Sequence, residues 1–330
     1  MVSKMDKTVV STRIRLARNL KDIPFASRLT PDAKKDVRQK IKDAAKSLPG
    51  YSFDYIDMES LTTIQAGSMV EEHLISLEFA NDRAGSGLLL DRKHNISIMI
   101  NEEDHLRIQV IGKGEKIKKL YDIANKLDDE LDEKLHFAFS ENLGFLTHCP
   151  TNLGTGLRAS VMMHLPGLHE SGLINKIINT VSQVGLTVRG LYGEGSQPGA
   201  CLYQVSNQIS LGITEADTLE RLLEVVSQIA QNEAALREKM LENINIEDRI
   251  FRAYGVLKEA RLLSSQEFSK LLSDVRLGAE GEILNLDLRM LDDIFLKAQP
   301  YTLMLYGGEN MEIRQRDVKR AELVRQALNK

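Results

Sequence analysis

The chain has 330 residues, 42% apolar and 27% charged, with a net charge of −4. That length calls for two domains, or one large domain with an appendage, and the composition supports a large core. The mild acidic balance argues against a general nucleic-acid binder. No apolar run approaches the ~18–20 residues that span a bilayer. The two cysteines, Cys149 and Cys201, make no disulfide framework, and Met1–Lys7 is polar rather than a leader, so a cytoplasmic location is expected. Neither C-x-x-C nor H-E-x-x-H occurs, so no protein-held metal is expected.

Thr30 as N-cap and Pro31 at the first helical position predict a helix over 31–47. Two strands, 87–90 and 96–100, flank the polar segment 92–95 as a hairpin. In the second, Ser97, Met99 and Asn101 alternate with Ile96, Ile98 and Ile100. A strand at 105–111 and a helix over 117–140 follow. A glycine-rich loop, 149–156, leads into a strand at 157–163. A helix over 173–184 stops at Gly185, and strands are expected at 186–190, 201–205 and 208–212. Hairpin strands with intervening helices predict an α+β fold, an antiparallel sheet flanked by helices. Thr214 and Asp217 cap a helix that places Leu219, Leu222, Leu223, Val226, Ile229 and Ala230 on one face. Helices starting at Ser264 and spanning 285–298 and 316–328 come next. The expected organisation is a mixed domain over 1–242 and a small all-helical C-terminal domain over 243–330.

Four segments concentrate charge and glycine. In Ser11-Thr12-Arg13-Ile14-Arg15, a strand puts Arg13 and Arg15 on one side, about 7 Å apart. Two such forks suit phosphate oxygens, although on spacing alone an exposed basic edge strand is the better reading. Asn101-Glu102-Glu103-Asp104-His105-Leu106-Arg107 reads alone as an acidic turn. In Cys149-Pro150-Thr151-Asn152-Leu153-Gly154-Thr155-Gly156-Leu157-Arg158-Ala159-Ser160, the glycines imitate a dinucleotide fingerprint, but no strand precedes them and no βαβ unit surrounds them. Arg189-Gly190-Leu191-Tyr192-Gly193-Glu194 reads as a loop able to carry a carboxylate. No Walker A motif occurs, so a nucleotide would be held by side chains, and arginines 13, 15, 107, 158 and 189 are available.

Together these blocks resemble the signatures of the phosphagen (guanidino) kinase family, in order across 11–194. The resemblance is to its bacterial, protein-directed branch. The first block begins at Ser11, so the helical N-terminal domain of the small-molecule kinases is not expected, and a helical C-terminal domain is. Thr12 in place of Ser, and Leu77 in place of Pro, are small departures that touch no matched charge. The resemblance implies an ATP- and Mg²⁺-dependent transfer of phosphate to arginine in proteins. Glu103 would be the base, Glu194 a second carboxylate clamp and Cys149 an orienting thiol. Glu102 would point away from Glu103 on a strand-like backbone. ATP would be bound by Ser11, Thr12, Arg13, Ile14, Arg15, His73, Arg107, Arg158, Ala159, Ser160, Val161, Met162, Arg189, Gly190, Leu191, Tyr192, Gly193 and Glu194. Cys201 would be structural.

Near the C-terminus, Arg316-Asp317-Val318-Lys319-Arg320-Ala321 matches a family motif for an allosteric phosphoarginine pocket. Arg316 and Arg320 would share a helix face as a clamp. The resemblance further implies protein clients with exposed arginines, a zinc-binding activator protein, a Clp unfoldase that reads the mark, a heat-shock repressor client and a homodimer or larger assembly. A kinase of a free guanidino compound, or a non-catalytic phosphoarginine-binding adaptor, are the alternatives.

Overall fold

The computed structural model describes residues 4–190, 200–308 and 310–329. A short helix α1 (Lys4–Thr8) leads into the central strand β1 (Val9–Arg18). Helix α2 (Pro31–Lys46) is capped as the sequence predicts, Thr30 accepting the Ala33 N–H. Then come β2 (Asp54–Asp57), α3 (Thr63–Glu71), α4 (Leu77–Asn81), β3 (Gly87–Asp91), β4 (Ile96–Ile100), β5 (Leu106–Lys113) and α5 (Ile117–Leu135). A two-strand ribbon, β6 (Phe139–Ser140) and β7 (Gly144–Phe145), precedes β8 (Leu157–His164), α6 (Pro166–Glu170), α7 (Ile174–Ser182), β9 (Leu186–Gly190), β10 (Leu202–Asn207) and α8 (Glu215–Leu241). The main sheet is antiparallel, in the order β2-β3-β4-β5-β1-β8-β10-β9.

Strand alternation divides this sheet into two unlike faces. Ile14 and Leu16 of β1, Ile108 and Val110 of β5, and Ala159 and Val161 of β8 are fully buried in the main core. They pack with Leu127 and Leu131 of α5 and Leu222 and Val226 of α8. Each Ile, Leu and Val among them contributes roughly 1.5–3 kcal/mol on burial. The opposite face carries Arg13, Arg15, Arg107 and Arg158. β4 has the two different faces its alternation predicts, both buried: Ile96, Ile98 and Ile100 enter the main core, while Met99 joins Met58, Phe79, Leu88 and Leu90 in a second cluster.

Some expected boundaries move. The helix over 117–140 stops at Leu135, because His136 turns to φ 56° and the Asp132 side chain takes the Phe137 N–H at 2.6 Å. Residues 208–212 form a loop instead of a strand. The Ser210 hydroxyl donates to the carbonyls of Thr151 and Leu153, and its own carbonyl accepts from Thr155. The last helix begins at Ile313 rather than 316.

The C-terminal helices are α9 (Ile244–Glu259), α10 (Ser265–Glu280), α11 (Leu288–Lys297), α12 (Pro300–Gly307) and α13 (Ile313–Leu328). Ser264 caps α10 through the Glu267 N–H. They enclose a core of their own, including Ile250, Leu257, Phe268, Val275 and Val324. Several polar joints hold them to the rest of the chain. Glu71 of α3 accepts the Tyr301 and Thr302 N–H groups at the start of α12, at 2.9 and 2.7 Å. Glu280 of α10 receives His164 at 3.0 Å, Arg237 at 2.9 Å and Arg276 at 2.9 Å.

Candidate active site

Register builds an arginine field from three adjacent strands. Arg15 stands opposite Arg158 on β8, and Arg107 on β5 lies opposite Ala17, one same-face position along β1. Arg13 lies two residues from Arg15 on the same face, and its guanidinium donates to Gln204 Oε1 of β10 at 2.8 Å. Burial, then Arg158 and Arg107, lower the Arg13 pKa to about 10. Burial, then Arg13, Arg107 and Arg158, push Arg15 well below the ordinary arginine value. Burial, then Arg189 and Arg107, also lower Arg158. The Nε atoms of Arg15 and Arg158 are buried with no hydrogen-bond partner. Cations confined this way are only partly compensated by Glu102 and Glu103, and a polyphosphate would supply the rest of the counter-charge.

The acidic segment is a tight turn, since Asn101 adopts φ 59°. This corrects the expectation that a strand-like backbone sends Glu102 away from Glu103. Both carboxylates converge on Arg107, Glu102 and Glu103 each accepting at 2.8 Å. Glu102 is buried and also accepts Ser76 Oγ at 2.7 Å, whereas Glu103 is 34% exposed at the mouth of the pocket. Asp104 is fully buried and accepts Asn19 Nδ2 and the His148 N–H, tying the turn to the loop that carries Cys149. His105 is structural: its Nδ1 accepts the Leu20 N–H and its Nε2 faces the Pro24 carbonyl.

That loop closes the third side. Gly154 and Gly156 have φ 109° and 64°, and a Cβ on Gly156 would strike the Arg18 guanidinium. Arg18, on the core face of β1, pairs with Asp128 at 2.7 Å, donates to the Thr155 carbonyl and lies 3.5 Å over the Phe145 ring. The loop therefore rests on a buried cation and runs into β8, not into a helix. Glu103, Arg15, Arg107, Arg158, Cys149 and Asn152 line one pocket. Cys149 Sγ lies 3.1 Å from Thr151 Oγ1. Cys201 sits elsewhere, and burial pushes its thiol up to about 11, in keeping with an inert group.

Farther along the same face, a cleft with a cavity volume of about 110 Å³ is lined by Ser11, Met162 and His73. Burial, and then Arg13, lower the His73 pKa to about 4, so its ring is neutral at pH 7. Ser160 lies between this cleft and Arg158, on the same face of β8. Other expected nucleotide contacts do not gather here. The Thr12, Ile14, Ala159 and Val161 side chains point to the opposite face and are fully buried; Thr12 Oγ1 donates to the Gly114 carbonyl. Alternation along β1 and β8 is the reason. Arg189 and Gly190 end β9 beside β10, whereas Leu191, Tyr192, Gly193 and Glu194 lie outside the described residues. Gln204 was not foreseen: only the β10–β8–β1 strand order brings it to Arg13, and no local pattern signals that.

The C-terminal motif differs from the expected open clamp. Arg320 is 1% exposed and donates to the Ala298 and Leu263 carbonyls and to Asp317, each at 2.8 Å. Ala321 is in the helical core. Arg316 is half-buried, with its guanidinium toward the Met311 carbonyl.

An arginine field, a carboxylate at its edge and a cysteine loop meet on one sheet face. The C-terminal catalytic domain of ATP:guanido phosphotransferases matches residues 36–236, and the protein-arginine kinase McsB C-terminal domain matches 243–330. The chain belongs to the ATP:guanido phosphotransferase family, in its protein-arginine kinase branch. A protein-arginine kinase of Halothermothrix orenii is 44% identical over 324 residues, covering 97% of this chain and 93% of that one. Another, of Caldanaerobacter subterraneus subsp. tengcongensis, is 44% identical over 332 residues, covering 98% of each. Among solved structures, the substrate-free duplicated taurocyamine kinase of Schistosoma mansoni matches at TM-score 0.63 and 29% identity, covering 72% of this chain and 35% of that one. A lombricine kinase matches at 0.63 and 26%, covering 71% and 68%. Among the described residues, no helix is long and apolar enough to cross a membrane.

Proposed function

We propose that this chain transfers the γ-phosphoryl group of ATP to a guanidinium nitrogen of arginine side chains in proteins. The observation that carries this reading is the convergence of Arg15, Arg107 and Arg158 on a pocket that Glu103 and Cys149 also line, with Arg13 beside Arg15 on the same face. The arginines neutralise the phosphates and the migrating group, which is most of what phosphoryl transfer requires. The acceptor is harder to activate, because a guanidinium stays protonated above pH 12. Glu103, oriented by Arg107, would accept a proton from the attacking nitrogen as the N–P bond forms. The β–γ bridging oxygen leaves with the electron pair of the broken P–O bond, giving ADP. Cys149 would align the acceptor, and by resemblance Glu194 would be the second carboxylate.

Among the described residues, no group of three His, Cys, Asp or Glu side chains is placed to hold a metal ion. Glu102 and Glu103 are already engaged by Arg107. A protein-held Mg²⁺ site therefore does not fit these residues, and the ion would come with the phosphate oxygens of its nucleotide.

The C-terminal module and the full-length relatives favour a protein acceptor over a free guanidino compound. The test is incubation with ATP and an unfolded protein, followed by mass spectrometry for acid-labile phosphoarginine. Glu103→Gln should lower labelling by about 10²–10⁴-fold while ATP still binds. Label on free arginine alone, or undiminished labelling by Glu103→Gln, would overturn the proposal. The proposed cellular role is marking of clients for a Clp unfoldase in a cytoplasmic stress response, with a zinc-binding activator and a heat-shock repressor as partners. Its support is the family resemblance. The same holds for feedback through Arg316, Asp317, Arg320 and Ala321, for which the buried Arg320 would first have to release its carbonyls.

A further inference from the structure

The arginine field occupies one half of the sheet face and the apolar cleft the other. Ser11 lies two residues beyond Arg13 on β1, and Met162 four beyond Arg158 on β8, each on the arginine-bearing side. A ligand whose phosphates rest on the arginines therefore sends its other end into this cleft. The sheet supplies only one wall. The facing wall consists of C-terminal helices: Leu272 and Ser273 of α10, and Leu291, Asp292 and Phe295 of α11.

We infer that α10 and α11 form the second wall of the nucleoside site, so that the base and ribose of the nucleotide are held between the sheet and the C-terminal helices. This inference rests on the phosphotransfer reading above and adds to it a binding role for the helical module. Three observations carry it. The cleft is chiefly apolar, with a few polar side chains at its edges, as a flat uncharged base requires. The helical wall is fixed to the sheet rather than loosely apposed. His164, which lines the cleft, binds both Glu280 at 3.0 Å and Ser273 at 2.9 Å, and Arg276 joins Glu280 to Asp292. At the rim, Lys113 of β5 reaches Asp293 of α11 at 2.6 Å. Finally, the charges near the cleft are mutually paired. Arg276 is neutralised by Glu280 and Asp292, leaving Phe295, Leu272 and Met162 as the surfaces a base would meet. A wall already ordered before the ligand arrives saves the entropy of ordering it on binding.

The experiment uses the full-length protein and two ligands, ATP and inorganic tripolyphosphate. Phe295→Ala should weaken ATP binding about tenfold, the loss of one aromatic face. Tripolyphosphate, which meets only the arginines, should bind as before. Phe295→Leu should retain part of the ATP affinity. Independently of any variant, ATP should slow amide hydrogen exchange in α10 and α11 of the wild-type protein, and tripolyphosphate should not. Unchanged ATP affinity in Phe295→Ala would overturn the inference. So would a joint loss of ATP and tripolyphosphate binding, or ATP protection confined to β1 and β8. If the wild-type protein binds neither ligand, the phosphotransfer reading itself fails, which is a separate result.

Discussion

Neutralising Arg15 should stabilise the unliganded protein while abolishing its activity. Arg15 faces Arg158 across the strand pair and has Arg13 two residues away on the same side. At the ~7 Å spacing of same-side strand neighbours and an effective dielectric of about 20, each pair repels by about 2 kcal/mol. Glu102 offsets part of this, and solvent at the partly exposed side chains screens more. A net relief of about 1–3 kcal/mol remains for Arg15→Met, which keeps the apolar stem of the side chain. For a chain of this size that raises Tm by about 1–4 °C at low ionic strength. The gain should shrink in 1 M salt, where the Debye length falls to about 3 Å. Addition of ATP at about 100 times its Kd should stabilise the wild type by about 2.7 kcal/mol and the variant far less. Phosphoryl transfer should fall by about 10³-fold or more, as when other phosphate-clamping arginines are lost. Differential scanning calorimetry with and without ATP, at two salt concentrations, reads every term. A Tm at or below the wild-type value at low salt would refute the idea that the arginines are assembled against their mutual repulsion.

Arg320→Ala should destabilise the C-terminal module by about 3–5 kcal/mol, because the Leu263 and Ala298 carbonyls lose a buried donor. Arg316→Ala should cost about 1 kcal/mol or less; equal costs in urea unfolding would show that Arg320 is not a structural tie. Glu280→Gln should cost about 3–5 kcal/mol at pH 7 by leaving buried cations without their partner. Burial alone would raise the Glu280 pKa, but His164, Arg276 and Arg237 outweigh it and hold it below the usual carboxylate value. Its contribution is therefore present above the unfolded pKa of about 4.3 and is lost as pH falls below it. The variant should show a shallower loss of stability between pH 5 and pH 3, and parallel pH curves would contradict the assignment. Glu102→Gln loosens the grip on Arg107 and, through it, the aim of Glu103. Turnover should drop by about 10²-fold, the scale expected of a small misplacement at the reacting centre; an unchanged rate would remove Glu102 from the positioning of the base.

Local chemistry explains which elements were legible. Thr30, Ser264 and Thr214 announce their helices because a side-chain oxygen satisfies an N–H that the helix cannot. The arginine blocks were legible because alternation alone puts Arg13 and Arg15 on one side. Alternation also says that Thr12, Ile14, Ala159 and Val161 face the other way, although they stand within the same signature blocks. The end of α5 was missed because His136 takes a left-handed conformation that nothing nearby requires. The loop at 208–212 was misread because its partners, at 151–155, are remote in sequence.

The order of residues thus determined the periodicity of each element, the family blocks and the set of charges available for chemistry. Contacts between distant segments decided the rest. Whether Glu102 and Glu103 converge depends on the turn at Asn101 and on Arg107 receiving both. Whether Arg320 is a ligand or a tie depends on two carbonyls, 57 and 22 residues away, that need its protons. Whether the nucleoside cleft has one wall or two depends on α10 and α11 folding back across β1 and β8. Burial and desolvation are set by what lies across the gap, and a linear pattern does not contain that information.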